Sequence, residues 1–351
     1  MNELRLAVIG AGFWARYQLA AWQELKDVRC VAVCDRVRAK AEALARERGI
    51  PITYDDAEEM LERERPDLVD VITDVNTHER FVRLAAKHKV PVICQKPMAP
   101  DLDSADAMVA ACAEANVPFA VHENWRWQAP LRELKRVLDS QVIGRPFRAR
   151  IDFISSFPVF DRQPSLRELE QFILTDIGSH VLDTARFLFG EAASVYAQTH
   201  RIHQDIRGED VATVLMPMGE GGTSVVCQMS YASRIEHERF PETLIFIEGE
   251  HGSAELAPDY WIRVTEKSGT HARRVPPPFY PWADPRFALV QSSMVDCQRN
   301  LLDAVIGGLR AESHAADNLE TMRLIFAAYE SARENRVVAI EPQSSNHNTN
   351  Q

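Results

Sequence analysis

The chain has 351 residues, of which 46% are hydrophobic and 26% charged, and its formal net charge is −11. This length is too great for one ordinary hydrophobic core, so we expect a globular protein of two domains. The acidic balance argues against nucleic acid and against an anionic membrane surface as partners, since both attract clustered Lys and Arg.

The first 123 residues alternate predicted strands with predicted helices. Continuous apolar runs predict the strands, and Ala-, Glu- and Arg-rich stretches predict the helices between them. The strands are expected at 4–9, 28–34, 68–73, 90–94 and 117–121, and the helices at 15–25, 38–48, 78–88 and 104–115. This rhythm is typical of βαβ units, so residues 1–123 are predicted to form a Rossmann-type, doubly wound parallel sheet.

The rhythm changes after residue 124, where strands follow one another with few helices. We therefore predict that residues 124–342 form an α/β domain with a large, mostly antiparallel open sheet, used for substrate binding and oligomerisation. Its last helices are expected to be able to pack back on the first domain, and residues 343–351 to form a disordered tail. Strands are expected at 146–157, 195–201, 211–216, 224–231, 244–248, 262–265 and 337–340, and helices at 131–139, 175–189, 287–307 and 318–334.

The beginning of the chain and its cysteines both bear on location. No basic segment followed by an apolar stretch opens the chain, and no apolar run reaches the roughly 18 residues of a membrane span. The six cysteines form no CxxC pair, which favours reduced thiols in the core. We expect a cytoplasmic protein.

A glycine-rich turn follows the first predicted strand. The segment 10–15 reads GAGFWA, a GxGxxA pattern that opens a helix. Gly10 permits the tight turn, Gly12 lets the backbone approach a pyrophosphate, and Ala15 lets helix and strand pack closely. With Phe13 and Trp14 these glycines are candidate cofactor-binding residues, because a helix N-terminus attracts phosphate.

An acid follows the second predicted strand, at the spacing that this motif requires. Asp35 lies 23 residues after Gly12 and would accept hydrogen bonds from the adenosine ribose hydroxyls. It would repel a 2′-phosphate, which favours NAD as the cofactor. Arg36 and Arg38 could hold such a phosphate, so NADP stays an alternative.

Two further positions carry groups suited to acid–base chemistry. Lys96 directly follows a predicted parallel strand, at the sheet edge where ligands bind in such folds. Asp176 and His180 are four residues apart, so on one helix they would share a face. His180 suits proton transfer because the pKa of histidine lies near neutrality. From these residues alone, an acid favoured by the helix dipole and a hydrogen-bonded structural histidine are the preferred interpretation.

Together these motifs resemble the Gfo/Idh/MocA (glucose–fructose oxidoreductase, inositol dehydrogenase, rhizopine catabolism) family. The resemblance rests on GxGxxA, the acid at 35, the Lys96–Pro97 pair and a DxxxH pattern that continues to Gly190. It also includes the segment 122–126, HENWR, and it spans nearly the whole chain.

The resemblance implies an enzyme that transfers a hydride between the nicotinamide C4 and a carbinol carbon, working as a homodimer or homotetramer without a metal. It implies that Lys96 is the catalytic lysine, Asp176 the substrate-binding acid and His180 the general base. It further assigns the nicotinamide side of the cofactor site to Thr73, Asn76, His78, Gln95 and Lys96, and the substrate junction to Asn124 and Trp125.

The chain departs from the family pattern at three places. Gln95 replaces the usual Glu before Lys96, Asp74 replaces a usual Pro, and residues 172–174 (FIL) replace the usual glycines before DxxxH. Arg162 and Gln163, in the preceding loop, could bind sugar hydroxyls. A plain surface connection is an equal reading of that loop.

The family resemblance leads to a sugar or polyol dehydrogenase. An aldose 1-dehydrogenase for a pentose or a branched aldose such as apiose is the leading hypothesis, followed by an inositol-type dehydrogenase. Two alternatives stay open: a sugar isomerase or epimerase with tightly bound NAD, and a non-catalytic ligand sensor.

Overall fold

The computed structural model describes residues 3–340. Contacts between Cα atoms divide the chain into two compact units. Within the described residues, the first comprises 3–134, 259–262 and 273–322, and the second comprises 135–258, 263–272 and 323–340. The domain bounds 1–123 and 124–342 stay a prediction, and the tail expected at 343–351 lies outside the described residues.

The first unit contains a sheet of six parallel strands in the order β3-β2-β1-β4-β5-β6. This order reverses between β1 and β4, and it confirms the predicted Rossmann-type sheet. The strands are β1 (Leu4–Ile9), β2 (Val28–Cys34), β3 (Ile52–Tyr54), β4 (Leu68–Val71), β5 (Val92–Gln95) and β6 (Phe119–His122). The helices between them are α1 (Phe13–Trp22), α2 (Arg38–Arg48), α3 (Ala57–Glu64), α4 (His78–Lys87) and α5 (Leu102–Ala115).

The starts of these helices differ in a way that matters for the site. Asp56 caps α3 by accepting from the Glu59 N–H at 2.8 Å, and Asp101 caps α5 by accepting from the Ser104 N–H at 2.7 Å. Helix α1 instead begins after Gly12, without a side-chain cap and without an acid in its first turn. Its first N–H groups are therefore left to other acceptors.

The remaining elements include a nine-stranded mixed sheet in the order β14-β13-β12-β11-β7-β10-β9-β8-β15. Its described pairs are antiparallel except β7–β10, which confirms the mostly antiparallel prediction. The strands are β7 (Pro146–Ile154), β8 (Ser194–His200), β9 (Val211–Met218), β10 (Thr223–Ser230), β11 (Leu244–Gly249), β12 (Gly252–Ala257), β13 (Trp261–Glu266), β14 (Gly269–Arg274) and β15 (Val338–Ala339). The helices are α6 (Ala129–Asp139), α7 (Val159–Arg162), α8 (Ile173–Asp176), α9 (Gly178–Phe189), α10 (Ala288–Gly307) and α11 (Ala315–Glu334).

The single helix predicted at 175–189 is wrong in its first turn. Asp176 ends the short α8, and α9 begins two residues later at Gly178. The Ser179 hydroxyl donates to the Asp176 carbonyl at 2.7 Å, and the His180 N–H bonds to the Ile177 carbonyl at 3.0 Å. These tighter local bonds interrupt the regular ladder between the two helices.

The core of the first unit includes a helix from late in the chain. Helix α10 packs against α1, and the two share one hydrophobic cluster. Leu19 and Trp22 of α1 and Leu301 and Leu302 of α10 are all at most 1% exposed. Full burial of each such side chain stabilises the fold by about 1.5–3 kcal/mol.

Two further observations concern location. All six cysteines are free, and five of them are buried. Across residues 3–340, the helices are all too short or too polar to cross a membrane.

Candidate active site

The glycine-rich turn after β1 is shaped for close backbone approach. Gly10 has φ +109°, and a Cβ there would lie 2.3 Å from the Ile72 carbonyl oxygen, so only glycine fits. A Cβ on Gly12 would meet no atom within 4 Å, which leaves open space in front of the uncapped start of α1. Phe13 is 59% exposed beside this space, and its ring meets that of Trp14 edge-on at 5.1 Å. A pyrophosphate fits this turn.

Asp35 connects the end of β2 to this turn. One carboxylate oxygen accepts from the Ala11 N–H at 2.9 Å, and the other accepts from the Val37 N–H at 2.8 Å. The carboxylate thereby lies beside the glycine-rich turn, and its contact with a ribose stays a prediction. Arg36 is exposed, whereas Arg38 pairs with Glu42 at 3.1 Å and approaches Asp55 at 3.9 Å. The charge of Arg38 is thus already paired with carboxylates and is less available to a 2′-phosphate, which favours NAD over NADP.

The loop after β4 is held by its own polar groups. Asp74, in the place of the usual Pro, accepts from the Asn76 N–H at 3.1 Å and from the Asn76 amide at 2.8 Å. Asn76 is exposed and Thr73 is half-buried, so both could touch a ligand at this sheet edge.

His78 lies inward from this loop. It is 1% exposed, and its ring nitrogens contact the carbonyl oxygens of Met98 at 3.1 Å and Thr73 at 3.2 Å. Burial lowers the pKa of His78, which favours the neutral ring. The structure therefore gives His78 a bracing role between the loops after β4 and β5, and its contact with a cofactor stays a prediction.

Lys96 directly follows β5 and is half-buried. Its backbone N–H donates to the side-chain oxygen of Gln95 at 2.7 Å. The carboxyl of Glu123, at the end of the neighbouring β6, is fully buried and lies within electrostatic reach of Lys96 and Arg126. Burial raises the pKa of Glu123 to about 7, although the Trp125 N–H and the two cations act in the opposite direction.

Glu123 thus supplies an acidic group beside Lys96 that position 95 does not. Sequence reasoning assigned no role to Glu123. The signal was available, because β5 and β6 are adjacent and parallel, so residues 96 and 123 leave the sheet at the same edge.

Asn124 and Trp125 lie in the turn after β6. The Asn124 amide nitrogen donates to the Val290 carbonyl at 2.9 Å and to the Ser293 hydroxyl at 2.8 Å. Both of its donor hydrogens therefore hold the turn to α10. Trp125 is 3% exposed, and its contact with a substrate stays a prediction.

The predicted residues of the second unit lie around α7, α8 and α9. Asp176 is half-buried at the end of α8, and His180 is buried in the first turn of α9. Arg162 is exposed at the end of α7, and Gln163 follows it, half-buried. The segment predicted as a loop is therefore partly helical.

A buried acid that sequence reasoning missed holds the start of α8. Glu209 accepts from the N–H groups of Phe172 and Leu174, each at 3.2 Å, and from the Tyr329 hydroxyl at 2.7 Å. Thr175 lies 3.2 Å from the same hydroxyl. Three donors thus converge on one carboxylate just before Asp176. No local pattern could have shown this, because Glu209 lies 35 residues or more from each donor.

The two groups of predicted residues lie in different units. Those of the first unit follow the carboxyl ends of β1, β2, β4, β5 and β6, which meet at one edge of a parallel sheet. Those of the second unit lie in or beside α7, α8 and α9.

Comparisons with known proteins agree with this architecture. Residues 4–123 match a model described as "Oxidoreductase family, NAD-binding Rossmann fold", and residues 131–255 match one described as "GFO/IDH/MocA C-terminal domain". The chain is 42% identical to a D-apiose dehydrogenase of Rhizobium rhizogenes, over 97% of this chain and 98% of that protein. It is also 42% identical to a D-apiose dehydrogenase of Paraburkholderia graminis, over 97% of this chain and 91% of that protein.

A solved structure is similar over the same extent. It is an oxidoreductase from Agrobacterium radiobacter in complex with NAD+, L-tartaric acid and magnesium. The TM-score is 0.94 and the identity 41%, and the match covers 96% of this chain and 98% of the other.

Proposed function

Because this chain belongs to the Gfo/Idh/MocA oxidoreductase family, we propose that it oxidises a sugar hydroxyl with NAD and that D-apiose is its substrate. The observation that carries the proposal is the 42% identity, along almost the whole chain, to two D-apiose dehydrogenases. Oxidation at the anomeric carbon would give a lactone.

The residues of the first unit fit the cofactor. When bound, NAD supplies a nicotinamide ring that accepts the hydride from the carbinol carbon. The N–H groups at the start of α1 are suited to hold the pyrophosphate, and Asp35 to accept from the adenosine ribose hydroxyls. Glu42 and Asp55 beside Arg38 favour NAD, which carries no 2′-phosphate.

The acid–base roles are assigned to three residues. The Lys96 ammonium donates to the reacting oxygen and stabilises the negative charge that develops on it, with Glu123 as its nearby acid. The His180 imidazole accepts the hydroxyl proton, directly or through a water molecule. Asp176 accepts from a neighbouring hydroxyl and orients the sugar, with Arg162 and Gln163 as further contacts.

We also propose a homodimer or homotetramer assembled through the open face of the large sheet. Phe246 and Leu215 are 39% and 44% exposed. The strand registers align them, through Arg150 and Val226, in one row that ends at Tyr196. Such a row is typical of a surface covered by a second copy. Light scattering of the purified protein tests it.

The five buried free thiols support a reducing compartment, so we propose the cytoplasm as the location.

The decisive experiment for the function is a panel of aldoses, polyols and inositols with NAD or NADP, followed by absorbance of the reduced cofactor. D-apiose with NAD is expected to give the highest kcat/KM. Absence of cofactor reduction with every sugar would overturn the proposal. If nucleotide copurifies in equimolar amount and sugar is converted without absorbance change, the protein is an isomerase or epimerase instead.

Two variants test the assigned chemistry. Lys96→Met and His180→Asn are each expected to lower kcat by about 10²- to 10⁴-fold, because each removes a group that handles the proton or the developing charge. Both should still bind NAD, as measured by protein fluorescence. The exposed Lys267 provides the matched control Lys267→Met, which should keep full activity. Full activity in Lys96→Met or His180→Asn would remove that residue from the chemistry.

A further inference from the structure

A chain of buried polar side chains lies behind Lys96 in the first unit. It connects Gln95 at the end of β5 with Gln18 and Trp22 on α1 and with Asp70 on β4. Gln18 and Asp70 are 0% exposed, and Gln95 is 8% exposed. Most buried polar groups have hydrogen bonds that compensate for the lost water. Among the described residues, Asp70 Oδ2 has two such donors while Asp70 Oδ1 is buried without a partner, so this arrangement requires a physical reason.

The order of donors and acceptors along this chain has only one solution. The backbone N–H of Lys96 can only donate, so the Gln95 side-chain atom that faces it, at 2.7 Å, must be the oxygen. The Gln95 amide nitrogen therefore faces Gln18, and the bond of 2.6 Å between them requires the Gln18 oxygen.

The Gln18 amide nitrogen is then left to donate to Asp70, at 3.3 Å. Trp22, which also can only donate, reaches the same Asp70 oxygen at 2.8 Å. Every donor points towards Asp70, which is the terminal acceptor. A further donor, the Gln298 amide, holds the Gln18 carbonyl at 3.1 Å and so fixes the backbone at the centre of the chain.

This order is incompatible with an ionised glutamate at position 95 beside an ionised Asp70. An ionised glutamate side chain there could still accept from the Lys96 N–H, but it could not donate to the Gln18 oxygen. Gln18 would have to turn its amide over, and its oxygen would then face the oxygen of Asp70. A buried contact between two acceptors is costly, and here it would place two carboxyls in one dry network.

We propose that Asp70 is a positioning residue for Lys96, acting through Gln18 and Gln95, and that Gln95 and Asp70 depend on each other. Glutamine at 95 is thus the side chain that matches an ionised carboxylate at 70. This inference rests on the proposed function only where it calls Lys96 catalytic. The hydrogen-bond relay (Asp70, Gln18, Gln95 and the Lys96 N–H) is independent of that role.

The experiment is a double-variant cycle on the full chain with Gln95→Glu, Asp70→Asn and both together. An asparagine at 70 keeps an oxygen that accepts from both Gln18 and Trp22 and carries no charge, so the double variant holds one carboxyl in the dry network instead of two. Gln95→Glu is therefore expected to lower kcat about tenfold when Asp70 is present, and less than about threefold in the Asp70→Asn background. Asp70→Asn alone should stay within about threefold of the parent.

Hydrogen exchange at the Lys96 amide, followed by NMR, gives a second readout that needs no substrate. Exchange should quicken about tenfold in Gln95→Glu, because the side chain that accepts from the Lys96 backbone N–H loses its own bond to Gln18, and it should return towards the parent rate in the double variant. If Gln95→Glu does not fold, Gln18→Met breaks the relay without adding charge and should quicken the same exchange. Gln128, also buried in this unit, provides the matched control Gln128→Met.

Two results would overturn the inference: an equal loss of kcat from Gln95→Glu in both backgrounds, or unchanged Lys96 exchange in the variants that break the relay. If the parent protein oxidises no sugar, the proposed function fails, and the exchange data still decide whether the relay exists.

Discussion

Replacing Glu209 should release the turn that leads into Asp176 and His180. In Glu209→Ala, the N–H groups of Phe172 and Leu174 and the Tyr329 hydroxyl lose their common acceptor. Both N–H groups belong to residues that are 0% exposed, so water cannot replace the carboxylate without disrupting the packing around them.

The expected magnitude follows from this count of donors. Each buried donor left without a partner costs about 1–3 kcal/mol, and effects within one network are not fully additive, so we expect a loss of about 4 kcal/mol. For a unit of this size, that corresponds to a fall in melting temperature of about 8–16 °C. Glu209→Gln keeps one acceptor oxygen and should lose less than half as much.

Differential scanning fluorimetry measures the stability, and the kcat/KM for the sugar measures the effect on the site. We expect kcat/KM to fall about tenfold or more as the start of α8, which leads into Asp176, loses its support, with an unchanged Kd for NAD, which binds in the other unit. The exposed Glu220 provides the matched control Glu220→Ala. The reasoning would be refuted if Glu209→Ala melted within about 2 °C of the parent, by the same arithmetic.

Two further predictions concern the first unit. Asp35→Asn should raise the KM for NAD about tenfold and leave the KM for NADP nearly unchanged, because the ribose hydroxyls lose a charged acceptor. Steady-state kinetics with both cofactors measures the two KM values. An equal rise in both would contradict the role of Asp35. Burial raises the pKa values of Asp70 and Glu123 to about 7, so between about pH 4 and 7 the folded chain holds protons that the unfolded chain has lost. Their stabilising contribution is therefore complete in acid and lost as the pH rises through about 7. The melting temperature of Asp70→Asn should therefore rise relative to that of the parent between about pH 5 and 8. If the two plots of melting temperature against pH ran parallel, Asp70 would not have the raised pKa.

The first sheet was predictable because each strand is a continuous apolar run bounded by turn residues. Strands β1 and β2 fall on the predicted bounds, and the predicted parallel sheet is confirmed. Strand β3 was missed because three residues carry no periodic signal, and α3 because its charged residues outnumber its apolar ones. Strands β12 and β14 were missed because each begins with glycine, which ordinarily marks a turn.

The residues of the site were partly predictable for a related reason. GxGxxA, Asp35 and Lys96 are readable because parallel strands end at one edge. Long-range partners are not readable: Gln18 meets Gln95 across 77 residues and Asp70 across 52. Local patterns contain no information about such pairs. The sequence therefore did not show that Gln95, which replaces the usual Glu, is paired with Gln18 and Asp70.

The contact between α1 and α10 has a consequence for biosynthesis. A ribosome releases all six strands of the parallel sheet long before it synthesises α10 (residues 288–307). The face of α1 around Trp22 therefore stays exposed until α10 packs against it. Until then the nascent sheet exposes an apolar stripe that invites aggregation or chaperone capture. A fragment ending at Leu134 would keep that stripe permanently open, which makes the NAD-binding half a poor candidate for separate expression.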